Sequence, residues 1–205
     1  MSGWVNWIQS DAGIFSRLQE LKIINCPNLI GDLPKEVPSL VKLEVVECPG
    51  LVALIEGATC LHDAVFEECK GIDLGEQEDD ALESFPEEGL LPSTLIDLQI
   101  YKMPNLKSLN SRGLQLLGSL KRMYIGKCTQ LQSLPKEGLP CSLLELKISK
   151  CPLLTPRCHW EKGEDWQKIA HIPVIMIDGE AVFDQVYAGP ADPNKLRYPP
   201  CILEQ

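Results

Sequence analysis

Cysteine and histidine are the residues in this chain best equipped for chemistry, and there are nine of the first and three of the second. Cys158 and His159 are adjacent, which is not how a nucleophile and its base are arranged, because such partners meet in space from distant segments. Cys151, Cys158 and His159 lack a fourth ligand at the spacing that zinc sites use. His62 and His171 stand apart from any cluster. The stretch Gly113-Leu-Gln-Leu-Leu-Gly118-Ser119 has the glycine spacing of a phosphate-binding loop. It has no lysine after the second glycine, so Leu114, Leu116 and Leu117 read as core instead. Residues 73–88 hold eight carboxylates and no base, but the central glycine and terminal glutamate of a calcium loop are misplaced. The run reads as a solvated surface loop or as a contact for a basic partner. No catalytic residue, no metal ligand and no cofactor site is expected, and the chain is not expected to be an enzyme.

The composition narrows the partners. The 205 residues carry 29 Asp and Glu against 19 Lys and Arg, a net charge of -10. Neutralising nucleic-acid phosphates needs a cationic surplus, so no nucleic-acid partner is expected. A polybasic contact with anionic lipid is disfavoured for the same reason. No run of about 18 apolar residues is present, so no membrane span is expected. The start, Met1 to Ile8, lacks a basic stretch followed by an apolar one, and no Asn-x-Ser/Thr acceptor occurs. An odd cysteine count without a signal peptide favours reduced thiols over a disulfide framework. Cys201 is fifth from the end and misses the position that prenylation requires. The expected location is the cytoplasm.

Leucine supplies 31 of the residues, and its spacing sets the fold. The pattern Leu-x-x-Leu-x-Ile/Val-x-x-Cys-Pro-x-Leu starts at Leu18, Leu40, Leu61, Leu95, Leu120 and Leu143. The intervals are 22, 21, 34, 25 and 23 residues, and all but the third match the period of leucine-rich repeats. Within each unit, Leu-x-Ile is the alternation of a strand with one buried face. The leucine after the cysteine and the one before the next proline turn back into the same core. Versions of the return half are Leu82-Glu-Ser-Phe85-Pro, Leu106-Lys-Ser-Leu109 and Leu131-Gln-Ser-Leu134-Pro, with Pro and Gly setting the bends. One unit cannot bury its leucines alone, whereas stacking makes a continuous core. The expected fold is an α/β-type leucine-rich-repeat solenoid, with a curved parallel sheet of about six to eight short strands and a mostly irregular convex side with little helix. The pattern cysteines, Cys26, Cys48, Cys69, Cys128 and Cys151, form an expected ladder of buried, inert thiols.

The boundaries follow from where the pattern fails. Residues 1–17 read as a partial repeat or N-terminal edge, in which Trp4 and Trp7 could cover the core. The first unit lacks a polar cap and looks like a cut through a longer solenoid. The repeats run over 18–154, with an acidic insertion at 73–82. Residues 155–180 form a C-terminal cap, with a short helix over 163–169 and a last strand over 172–178. Residues 181–205 read as a mobile tail, having prolines and no period.

These residues resemble a known family. The Leu-x-x-Leu-x-Ile-x-x-Cys-Pro-x-Leu unit, the Ser-Leu134-Pro-x-Glu-Gly138-Leu-Pro return and the ending Trp166-Gln-Lys-Ile-Ala-His-Ile-Pro-Val-Ile-Met-Ile-Asp178 look like the C-terminal repeats of plant intracellular nucleotide-binding leucine-rich-repeat disease-resistance proteins of the coiled-coil class. The resemblance covers roughly residues 1–180. It implies a recognition module in plant defence, binding a pathogen effector, a guarded host protein or the nucleotide-binding domain of the receptor. The coiled-coil and nucleotide-binding parts of that family are not found in this sequence, so nucleotide exchange and signalling are not carried over. Alternatives are a stand-alone leucine-rich-repeat adaptor or scaffold, or a truncated receptor remnant without independent signalling.

A partner would meet the variable strand positions of the concave face. The candidate contacts are Glu44, Glu67, Glu68, Gln99, Tyr101, Lys102, Lys121, Arg122, Tyr124, Lys127, Lys147 and Lys150. Summed by repeat, the outward positions give charges of 0, -1, -3, 0, +3 and +1. The face is therefore expected to be acidic at repeat three and basic at repeats five and six, which can orient a charged partner. Tyr101, Tyr124, Lys121 and Arg122 combine aromatic and cationic character, as binding hot spots often do.

Overall fold

The computed structural model describes residues 15–29, 37–48, 58–69 and 84–182. The readings made for Trp4 and Trp7, the insertion at 73–82 and the tail from 183 onward lie outside the described residues. The elements in chain order are β1 (Glu20–Ile24), β2 (Lys42–Val46), β3 (Asp63–Glu67), β4 (Ser84–Phe85), β5 (Asp97–Tyr101), β6 (Ser108–Leu109), α1 (Ser111–Gln115), β7 (Arg122–Gly126), β8 (Glu145–Ser149), β9 (Val174–Ile177) and β10 (Glu180–Val182). Seven strands, β1-β2-β3-β5-β7-β8-β9, form one parallel sheet, and β10 adds antiparallel to β9. The protein is a leucine-rich-repeat solenoid with almost no helix. Its strands fall on the six Leu-x-Ile/Val units, with β9 and β10 continuing the sheet into the cap.

Alternation along each strand builds the core in rows. Leu43, Ala64, Leu98, Met123, Leu146 and Ile175 are register partners, as are Ile23, Val45, Phe66, Ile100, Ile125, Ile148 and Ile177. All of them are buried. On the return side, β4 pairs with β6 through Phe85 and Leu109, and Ser108 bridges on to Ser133. The Ser-Leu/Phe returns thus form a second ladder behind the core. Ala64 takes a position where its neighbours carry leucine, and Phe66 and Phe85 meet edge to face, with centroids 5.0 Å apart.

The cysteine ladder sits just past each strand. Cys48 Sγ donates to Val46 O at 3.2 Å and Cys151 Sγ to Ser149 O at 3.4 Å. Burial pushes the Cys69 and Cys158 thiols up to about 12. The hydrogen bond with the Cys151 thiol, together with burial, raises Cys128. Thiolate is the reactive form, so these residues are poor nucleophiles. Cys60 and Cys141 are exposed. Alkylation of the folded chain, read by peptide mapping, should modify Cys60 and Cys141 promptly and the ladder only after unfolding. Rapid modification of Cys69 or Cys128 in the folded chain would contradict this placement.

The structure departs from the sequence reading at three places. Leu116, read as core, is 49% exposed, whereas Leu114 and Leu117 are buried. The five-residue α1 both starts and ends within 110–116: Asn110 caps it by accepting from the Gly113 N–H at 3.1 Å, and Leu116 is its C-cap. In the cap, the helix expected over 163–169 is only a 3-10 turn at Trp166–Lys168, with another at Thr155–Cys158. Lastly, Ala181 and Val182, read as the start of the tail, lie in β10, into which Asp178 and Gly179 turn the chain back.

Gly113 is where α1 meets the return side. A Cβ there would lie 2.1 Å from the Pro86 carbonyl oxygen and 2.9 Å from that of Glu87. Both are backbone atoms, so no side-chain rotation relieves the clash. Ala normally gains about 1 kcal/mol over Gly within a helix, yet Gly113→Ala should destabilise by about 3 kcal/mol through overpacking. The urea midpoint measures this, and an unchanged midpoint would show that the approach is looser than described.

Candidate functional site

The solvent side of the sheet is built by the residues between the core positions. Its rows are Glu20, Lys42, Asp63, Asp97, Arg122, Glu145 and Val174, then Lys22, Glu44, Val65, Gln99, Tyr124, Lys147 and Met176, then Ile24, Val46, Glu67, Tyr101, Gly126 and Ser149. The residue after each of these strand ends holds a left-handed backbone: Asn25, Glu47, Glu68, Lys102, Lys127 and Lys150, with φ of 49–55°. Left-handed backbone is unfavourable for residues with a Cβ. It recurs because the N–H of each then reaches the next strand, as with Lys102 N to Gly126 O and Lys127 N to Ser149 O, both at 2.8 Å. At Lys150 the acceptor is the Asp178 carboxylate, at 2.6 Å.

Six of the twelve candidate residues converge. Glu67 and Glu68 both bind the Lys102 ammonium, at 2.8 and 2.9 Å, and raise its pKa. Lys102 and Lys127 lie over the Tyr101 ring, 5.5 and 5.1 Å from its centroid. Tyr101 stacks on Tyr124, with centroids 5.9 Å apart and planes 24° apart. Gly126 makes room for this pair: a Cβ there would come within 2.6 Å of the Tyr101 ring and of the Tyr124 hydroxyl. Arg122 binds the Asp97 carboxylate through Nε and Nη2, and this partner raises its pKa. A shallow hollow of about 370 Å³ lies beside them, lined in part by Gln99, Arg122, Tyr124, Glu145 and Lys147.

The remaining candidates have contacts of their own. Glu44 pairs with Lys22 at 3.0 Å, two strands from the tyrosines. Lys147 pairs with Glu145 on its own strand at 2.6 Å. Lys121 lies at the entry to β7, its N–H on Ile96 O at 2.8 Å. Among the described residues, no ion pair involves Lys121, Lys127 or Lys150. The charges summed by repeat are thus redistributed across strands. Two of the acids of repeat three hold a lysine of repeat four, and Arg122 of repeat five is taken by Asp97 of repeat four. Sequence reasoning missed Gly126 as the residue that seats the tyrosines, although it stands out as the glycine in a row otherwise filled by side chains.

The face therefore carries varied side chains over a uniform core, and its sequence has relatives. The chain is 42% identical over 99 residues to disease resistance protein At3g14460 of Arabidopsis thaliana, a match covering 48% of this chain and 7% of that protein. It is related to plant disease resistance proteins. A second relative, disease resistance RPP13-like protein 1 of Arabidopsis thaliana, is 27% identical over 156 residues, covering 74% of this chain and 14% of its own length. Disease resistance protein RGA4 of Solanum bulbocastanum is 45% identical over 56 residues, covering 26% of this chain and 6% of its own. The chain therefore spans only a small part of these resistance proteins. No protein-family model matches it, and no solved structure does.

Proposed function

We propose that this chain is the recognition module of a plant immune receptor, working in the cytoplasm without catalysis. Its open sheet face binds a pathogen effector or a guarded host protein and contributes to the defence response. The observation that carries this reading is the contrast between the two sides of the sheet. Inward rows repeat Leu, Ile and Val because the fold demands it. Outward rows place a stacked tyrosine pair, a shallow hollow and three lysines without ion pairs among the described residues at positions that the core leaves unconstrained. Aromatic anchors beside cations are the composition of binding hot spots, and solenoids bind partners across such extended faces. Similarity to disease resistance proteins supplies the biological setting.

The test uses a receptor that contains this region. Tyr101→Ala with Tyr124→Ala should abolish pathogen-elicited cell death while the receptor still accumulates. Lys136→Glu, an exposed position on the return side, should leave the response intact. A full response from the double tyrosine variant would move recognition off this face.

A further inference from the structure

Lys121, Lys127 and Lys150, without ion pairs among the described residues, lie at two separated poles of the open face. Lys127 and Lys150 occupy equivalent left-handed positions on adjacent parallel strands, which places their Cα atoms about 5 Å apart. Lys121 stands at the other end of β7, six residues before Lys127. At about 3.3 Å per residue it is roughly 20 Å away. The surface that joins the poles is internally neutral, since Asp97 holds Arg122 in the row next to Lys121 and Glu145 holds Lys147. Its floor is the Tyr101–Tyr124 stack.

Building on the recognition role, we propose that this surface takes an extended acidic peptide segment. Its carboxylates are spaced about six residues apart to meet the two poles, and its middle is apolar or aromatic, to lie on the tyrosines. Charge complementarity selects this partner. A nucleic-acid strand carries a phosphate at every nucleotide, and a chain of net charge -10 repels that continuous charge. A peptide carrying acids only at its ends brings fewer charges and matches both poles.

The probe is a fluorescein-labelled peptide, Asp-Asp-Ser-Leu-Phe-Ser-Asp-Asp, titrated against the full 205-residue chain and read by anisotropy. Saturable binding is expected. It should weaken at least tenfold in the Lys127→Glu, Lys150→Glu double variant, and also on raising salt to about 0.5 M. Lys136→Glu should not change it. The double reversal suits the backbone, because Glu47 and Glu68 hold the same left-handed conformation; circular dichroism checks that the fold persists. Absence of saturable binding would overturn the proposal, as would equal binding by the double variant or tighter binding of an oligothymidine. If the peptide fails while the double tyrosine variant still loses the defence response, the acidic-segment inference falls and the recognition face stands.

Discussion

Asp165→Ala should lower the unfolding free energy by roughly 3 kcal/mol, or about 6–12 °C in Tm for a chain of this size. Asp165 is 1% exposed and joins the cap to the return side of repeat five. Its Oδ2 accepts from the Leu134 N–H at 2.9 Å and from Arg157 Nε at 3.1 Å. Its Oδ1 accepts from Arg157 Nη2 at 3.2 Å and Lys168 Nζ at 2.7 Å. Lys168 Nζ also donates to Leu134 O at 2.9 Å. Removing the carboxylate leaves two cations and a backbone donor facing an emptied site. The cost falls at the low end for a broken buried pair, because Arg157 and Lys168 keep some access to water.

The same carboxylate makes stability depend on pH. Burial alone would raise its pKa, but the bonds from Arg157, Lys168 and Leu134 together outweigh burial and hold it below the usual carboxylate value. A depressed folded pKa contributes stability that is fully present above the unfolded value, about 4, and is lost as pH falls through the folded one. The wild-type melting temperature should therefore drop more steeply below about pH 4 than that of Asp165→Asn. Parallel acid profiles for the two chains would argue against a charged hub.

Phe85→Ala carries the second large effect, about 3–5 kcal/mol by denaturant titration. Phe85 is buried and meets Phe66 edge to face. Ala64, two residues before Phe66 on β3, stands in a row of larger side chains. Phe85→Leu restores the residue that Leu109 and Leu134 provide in other repeats, yet should still cost about 1 kcal/mol through the remaining void. Adding Ala64→Leu to Phe85→Leu should recover part of that loss, a coupling that a double-mutant cycle measures. Strict additivity would show that the three positions do not share one space.

The repeat was legible because its residues have a single physical use. Leu43 and Val45, Leu98 and Ile100, or Leu146 and Ile148 alternate too regularly to suit anything but a strand with one buried face. The return half was legible as a repeated phrase, although the ladder from Phe85 to Leu109 needs spatial pairing that spacing alone does not reveal. The left-handed positions were hidden because Glu47, Glu68, Lys102 and Lys127 are residue types that seldom take that backbone; the neighbouring strand's carbonyl imposes it. The role of Asp165 is hidden within the short helix expected over 163–169, since its partners Leu134 and Arg157 come from separate segments. On the open face, the residue types of the tyrosine and lysine cluster were visible, but its pairings were not. Lys102 is claimed by acids of the preceding repeat, and Tyr101 reaches Tyr124 only because Gly126 leaves the space.

The proposed function requires that the open sheet face, and not the return side, meets the recognised protein. The direct measurement places a photocrosslinking amino acid at Tyr124 or at Lys136, in a receptor that contains this region, and irradiates leaves with and without the pathogen. A pathogen-dependent adduct from position 124 and none from 136 is expected. An adduct from 136 alone, or an intact defence response with no adduct from 124, would contradict it.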